Sequence, residues 1–317
     1  ARTLREVAAP ILAMQVAGGT LPMSVERFLA DDPVGLNAGH RCGCRQGRSC
    51  TRAVRRTQAW CHEDGRPPDF VLAVLGRFGV CVRDGQVGAV KNLSRVALSD
   101  PGQDAAVGLL AGQPPYVVEV EVLHTDPLLA RGHWIVSGRF AHELHKWDDD
   151  AVSPLQRPLA AEAAGQSHLY AVLYRHSGVP PPPRKPRPFV NPHGRNWCPF
   201  NAALVTLAAT WHVLGPGLRR HGPVTCALDE VMCLAFDGTV PGDAAVGTRP
   251  GDLAALECFT GMFFDMKTRH VRGDQLPLCE VWEWLVQALR TEHYAWRNVA
   301  FYRGFAAAEP AGFFFED

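Results

Sequence analysis

Lysine is nearly missing from this chain of 317 residues. Lys91, Lys146, Lys185 and Lys267 are the four it has, so 32 − 4 = 28 of its basic residues are arginines. Acidic residues also number 32 and the formal net charge is zero, which excludes bulk electrostatic attraction to nucleic acid or an anionic membrane as the organising force. No apolar run approaches the roughly eighteen residues of a membrane-spanning helix, so no membrane span is expected. Internal repeats are absent, which excludes a solenoid. The glycine turns in LLAGQPP and AVLGRFG lack the spacing of a phosphate loop. The N-terminal ARTLREVAAPILAMQVAGG has neither an initiator Met nor the plan of a signal peptide, and is expected to be the start of a processed or excised fragment.

What remains is a composition of 47% apolar and 20% charged residues, that of a soluble globular protein with ample core material. Arginine in place of lysine, with abundant Ala, Gly and Pro, points to a GC-rich coding sequence such as a large DNA virus, some RNA viruses or actinobacteria carry. Ten cysteines are present, six of them scattered singly through apolar contexts, and that usage implies free thiols in a reducing compartment. The expected location is the cytoplasm, of a host cell if the protein is viral, or its nucleus.

The segment GVPPPPRKPRPFVNP at 178–192 reads as a proline-rich linker, because consecutive prolines prefer an extended conformation. It separates an α+β N-terminal region, 1–177, from a C-terminal region, 193–317. Before it, LREVAAPILAMQVA reads as a helix. DFVLAVLGRFGVCVRDGQVGAV reads as two apolar strands and a turn, and YVVEVEVL as a half-buried strand by its alternation. GHWIVSGRF and SHLYAVLYRH are further strands. After it, Phe200, Leu204, Leu207, Trp211 and Leu214 mark a helix face closed by Gly215-Pro216-Gly217. CALDEVMCLAF and LCEVWEWLVQALR read as helices, with Val281, Trp282, Leu285 and Leu289 on a buried face of the latter, and WRNVAFYRGF as a strand.

The chemistry concentrates at GRNWCPFNAAL, residues 194–204. Proline at a first helical position loses no hydrogen bond, so Pro199 is placed there and Cys198 at the N-cap. Backbone amides and the helix dipole at that point favour thiolate, which predicts a lowered thiol pKa. Asn196 supplies a side-chain amide for an oxyanion and Trp197 a cleft wall. The bland alternative is a small apolar residue buried at a helix end. A nucleophilic thiol needs a base, and His293, at the head of an apolar strand in TEHYAWRNVAFYRGF, is the first candidate. His270, with Asp274 nearby, is its rival.

The run Asn-Trp-Cys-Pro-Phe-Asn-Ala-Ala-Leu resembles the active-site helix entry of papain-like cysteine proteases, in particular the short viral leader type. There a Cys opens a long helix and a downstream His begins a strand, here His293 to Trp296 running on to Gly304. The resemblance covers at most residues 190–317 and departs from the family at Pro199, where an aromatic is usual. It implies a Cys198 nucleophile, a His293 base, and a peptide or ubiquitin-like isopeptide as substrate.

A second cluster lies in GHRCGCRQGRSCTRAVRRTQAWCHEDG, residues 39–65. Cys42, Cys44, Cys50 and Cys61, with His40 and His62 close by, offer the close-paired thiolates that a structural zinc site requires, while free thiols or a local disulfide are the alternatives. The crowded arginines around them, with Trp60, would form a basic knuckle for phosphates and a base if nucleic acid is a partner; a solvated face is the plainer account. FAHELHKWDDD lacks the HExxH spacing and reads as an exposed acidic turn. Cys226, Cys233, Cys258 and Cys279 stand among apolar residues and read as core. FVLAVLGRFGVCVRDGQVGAV resembles the repeat of herpesvirus tegument and immune-evasion proteins related to bacterial SUKH immunity proteins. That implies a non-enzymatic protein that binds a host or partner protein.

The expected fold is therefore α+β: a β-rich N-terminal part with a candidate zinc knuckle, and a helix-rich C-terminal part ending in strands. The expected function is a thiol hydrolase, either cysteine protease or deubiquitinase-like, with a viral interaction protein as the alternative.

Overall fold

The computed structural model describes residues 4–7, 11–17, 58–61, 69–75, 78–83, 86–91, 116–218, 222–267, 270–292 and 302–305. The architecture is α+β, with a mixed sheet built mainly from the N-terminal half and a helical layer from the C-terminal half.

Twelve strands are described: β1 Leu4–Val7, β2 Ile11–Ala17, β3 Gln58–Cys61, β4 Phe70–Leu75, β5 Phe78–Arg83, β6 Gln86–Lys91, β7 Tyr116–His124, β8 Trp134–Phe140, β9 Glu143–Asp148, β10 Ala151–Pro154, β11 Leu169–His176 and β12 Tyr302–Phe305. Eight of them form one sheet in the order β10-β9-β8-β7-β11-β4-β2-β12. From β10 to β4 every pairing is antiparallel, whereas β4, β2 and β12 run parallel. The β1–β3 pair and the β5–β6 hairpin stand apart from this sheet.

The helix expected over LREVAAPILAMQVA is instead two strands, on either side of Pro10. Proline removes a helical hydrogen bond there, and the register of β2 against both β4 and β12 rewards an extended chain. FAHELHKWDDD likewise forms β9 and its flanking turns. His142 takes a positive φ of 70° in the β8–β9 turn, and His145 is buried within β9, so the two share no helical face. In β7 the alternation of YVVEVEVL does mark a strand, but one buried on both faces. Glu119 is ion-paired with Arg175 at 2.7 Å, and Glu121 accepts from Ser137 Oγ at 2.8 Å. Buried carboxylates are tolerated where partners of this kind hold them.

Helix α1, Ala163–His168, follows a 3₁₀ turn at Leu159–Ala161. The helical layer comprises α2 Cys198–Ala208, α3 Trp211–Leu218, α4 Pro223–Ala235, α5 Pro250–Met266 and α6 Leu278–Glu292. The face that runs from Phe200 to Leu214 is broken at Ala209 and Thr210, ahead of Gly215-Pro216-Gly217, which lies within α3. All eleven residues of α2 are buried, because it packs on β8 on one side and α6 on the other. A single apolar cluster runs from Phe70, Leu72 and Val74 of the sheet through Leu204 and Leu207 to Trp284 and Leu285.

The proline-rich segment 178–192 is packed between the sheet and the helices. Ala141 N–H donates to Pro182, Trp147 Nε1 to Pro186, and Val246 N–H to Pro188, while Phe189 is fully buried. The prolines keep the strap extended, leaving their carbonyls to accept from both sides.

The last residue of α6 closes the start of α4. Glu292 accepts from Val224 N–H at 2.9 Å and Thr225 N–H at 2.8 Å, an anion on two backbone amides at a helix N-terminus. Glu292→Ala is expected to lower stability by about 1 kcal/mol, read as a lower denaturant midpoint at unchanged slope. An unchanged midpoint would show that the cap contributes nothing.

Candidate active site

Cys198 is the first residue of α2, with Trp197 at the N-cap and Pro199 second, one position later than expected. A helix end shifts by a residue between definitions, so the proline still starts the helix. Asn191 Oδ1 accepts from Trp197 N–H at 2.7 Å and holds the chain at its entry.

The thiol is 2% exposed. Its pKa is raised from the ordinary 9.0 to about 11, by burial first and by the charge of Asp149 after it, with polar groups of Trp134, Gln275 and its own backbone acting in the opposite direction. The lowered value expected from the helix terminus is therefore not found. Desolvation outweighs the dipole because the helix end is dry. Since the native thiol keeps its proton where the unfolded thiol has lost it, stability falls as pH rises from about 9 to about 11. A loss of about 2 kcal/mol across that window is expected in the native protein and absent in Cys198→Ala, measured by denaturation at each pH. Parallel curves for the two proteins would count against a buried titrating thiol.

Helix α2 packs on β8. Trp134 opens that strand and His133 precedes it. His133 Nε2 lies 2.9 Å from Asp148 Oδ1, at the end of β9, and 3.5 Å from Asp149 Oδ2. Both carboxylates thus lie on Nε2 of the ring. Burial acts to raise the Asp148 pKa, but the Lys146 ammonium, 2.7 Å away, and then His133 outweigh it and hold the carboxyl below its usual value. Burial dominates at Asp149 and holds it above, despite the amides of Asn191 at 2.8 Å and Asn201 at 3.1 Å.

The loop before α6 lies over this arrangement. Gln275 Nε2 donates to Gly132 O at 3.1 Å and lies 3.5 Å from Cys198 Sγ, so it ties the residue before His133 to the thiol. At Gly132 a Cβ would fall within 2 Å of the His124 ring, which is why the approach to His133 requires glycine here. Asn196, in a left-handed conformation with φ 51°, donates its amide to Gly273 O at 2.5 Å. Its side chain thereby fixes the loop that carries Gln275. His270 anchors the same loop: it bonds to Glu280, stacks on Phe263 and lies 3.9 Å from Asp274.

His293 lies outside the described residues, as do Cys42, Cys44 and Cys50; Cys61 ends β3, of which the backbone is described. Among the described residues no group of three or more His, Cys, Asp or Glu is placed to hold a metal ion. Cys226, Cys233 and Cys258, expected in the core, lie exposed on helix surfaces, and Cys279 is half-buried. No described helix is long and apolar enough to cross a membrane.

His133, Asp148, Asp149 and Gln275 were not among the expected site residues. GHWIVSGRF does carry a usable signal, a histidine at the head of an apolar strand. The same pattern marks His293, and the papain-like resemblance implies a base downstream of Cys198, whereas His133 lies upstream.

No family model matches the chain, and no curated protein matches it. Among solved structures, the SAGA Ubp8/Sgf11/Sus1/Sgf73 DUB module overlaps with a TM-score of 0.27 and 18% identity, over 36% of this chain and 25% of that one. A yeast SAGA DUB module with an altered Sgf73 overlaps at 0.27 and 17%, over 36% and 26%. An essential yeast splicing factor overlaps at 0.24 and 14%, over 35% and 26%. The chain spans about a quarter of the length of these chains. Overlaps at such scores assign no activity to it.

Proposed function

We propose that this protein is a thiol hydrolase acting on a peptide or isopeptide carbonyl, with Cys198 as nucleophile and His133, oriented by Asp148, as base. The observation that supports the reading is Gln275, whose Nε2 donates to Gly132 O at 3.1 Å and lies 3.5 Å from Cys198 Sγ. It ties the residue before a carboxylate-backed histidine to a sulfur at a helix N-terminus, the groups that thiol catalysis needs.

The resting thiol is neutral, so His133 acts at the moment of attack. Nδ1 takes the thiol proton and the sulfur electron pair forms a C–S bond. The carbonyl π pair moves to oxygen, where the helix-end amides and Gln275 Nε2, once lifted from sulfur, stabilise it. Collapse expels the amine, which takes the proton from His133. Water, deprotonated by the same imidazole, then hydrolyses the thioester. Because the thiol is covered at rest, substrate must displace Gln275 before attack.

In chain order the residues run His133, Asp148, Cys198, whereas papain-like cysteine proteases, the short viral leader type included, have the histidine after the cysteine. That narrower reading requires His293 as base, and ubiquitin-like substrates are a narrower reading of the isopeptide class.

The test exposes the folded full-length protein to a peptidyl vinyl sulfone and, separately, to ubiquitin ending in an electrophile. Adducts are located by peptide mass spectrometry. A thioether on Cys198, lost in His133→Ala and kept in His270→Ala and His293→Ala, is the expected result. Loss in His293→Ala alone would transfer the base to that residue. If Cys198 reacts only after unfolding, the hydrolase reading fails and a protein-binding role for the chain is left.

A further inference from the structure

Two carboxylates face His133, and one would suffice to orient it. Asp148 makes the 2.9 Å bond, so Asp149 calls for a separate explanation. Its side chain is 18% exposed and sits 3.5 Å from His133 Nε2. Asn191 and Asn201 hold its two oxygens separately, Oδ2 at 2.8 Å and Oδ1 at 3.1 Å. Asn191 in turn receives Trp197 N–H, and Asn201 lies in the first turn of α2, three residues after the nucleophile. The carboxylate is thus built into the helix entry that presents Cys198. Its backbone is left-handed, with φ 51°, a conformation that aspartate and asparagine adopt more readily than other non-glycine residues.

Resting on the hydrolase reading above, we propose that Asp149 is a positioning residue with two electrostatic roles. Its charge supplements Asp148 in stabilising the His133 imidazolium that forms on attack, and it keeps the proton on Cys198 until substrate engages. A negative charge favours a nearby cation and opposes a nearby anion, so one carboxylate set 3.5 Å from His133 Nε2 and tied through Asn191 and Asn201 to the helix entry that carries Cys198 performs both functions. The ionisable groups facing it are His133 from the approach to β8, Asp148 from β9 and Cys198 from α2, with Lys146 behind Asp148. The thiol's high pKa, with Asp149 among its causes, agrees with that arrangement. The consequence is a thiol protected from stray electrophiles and oxidants at rest, and activated by proton transfer within a bound complex.

The experiment follows the rate of iodoacetamide alkylation of Cys198 in the full chain from pH 6 to 10, by peptide mass spectrometry. Asp149→Asn preserves shape and backbone preference while it removes the charge. It is expected to speed alkylation about five- to tenfold at pH 8 by shifting the midpoint about one unit downward. Asp149→Glu is expected to keep the native profile, and Asp148→Asn not to reproduce the shift. Asp149→Ser makes the same charge test should the Asn variant fail to fold. An unmoved midpoint in the neutral Asp149 variants, with a slower reaction in His133→Ala, would overturn the role of Asp149 and keep the His133–Cys198 pair. If His133→Ala also leaves the profile unmoved, both fall together.

Discussion

Replacing His133 by alanine is expected to lower turnover of a cleavable peptide or isopeptide substrate by about 10²- to 10⁴-fold, with a far smaller change in KM. In the proposed reaction the imidazole takes the proton of a thiol whose pKa is raised to about 11, and without it the sulfur would stay protonated throughout the neutral range. Unlike a preformed thiolate, such a thiol is not rescued by a modest rise in pH. The residual rate of His133→Ala is expected to climb only as pH approaches the thiol's own value. Asp148→Asn is expected to fall between the variant and the native protein, since the 2.9 Å bond that orients the ring is weakened while the base remains. Full activity in His133→Ala would mean that another residue takes the proton.

The largest expected stability effect lies away from the thiol, at Arg187. This guanidinium is almost completely buried in the proline-rich strap. It donates to Ala244 O at 2.7 Å, Leu234 O at 3.1 Å and Ala245 O at 3.2 Å, and lies 3.5 Å from Asp252 Oδ2 in the first turn of α5. Arg187 N–H also donates to Ala235 O at the end of α4. One side chain thus satisfies a helix C-terminus, a loop and a buried acid together. Arg187→Met keeps much of the volume but leaves Asp252 without its counter-charge in a dry site. The expected cost is about 3–5 kcal/mol, read by denaturant unfolding. Asp252→Asn in the same background is expected to recover part of it, since the stranded charge is the larger component. Equal stability of Arg187→Met and the native chain would show that the strap holds without the guanidinium.

Local signals made several elements legible. The apolar period in LCEVWEWLVQALR identified α6, the run FVLAVL identified β4, and Pro199 located the start of α2 to within a residue. Each depends on neighbours within a few positions. The N-terminal LREVAAPILAMQVA misled because its apolar content suits either helix or strand, and its partners, Phe70–Leu75 and Tyr302–Phe305, are far away in sequence. The same limit applied to β7, whose alternation gave the strand but not the Arg175 and Ser137 that let both of its faces be buried.

By itself the sequence determined that a cysteine opens a helix, that the helix is apolar enough to be buried, and that the chain mixes strands with helices. Those outcomes follow from steric preference and periodicity, which act over one or two turns. The tertiary structure decided what surrounds the sulfur: His133 and Asp148 from a strand pair earlier in the chain, Asp149 held by Asn191 and Asn201, and Gln275 from a later loop. It also reversed the expected shift of the thiol, because desolvation and charge depend on every group within reach, and folding alone brings those groups together.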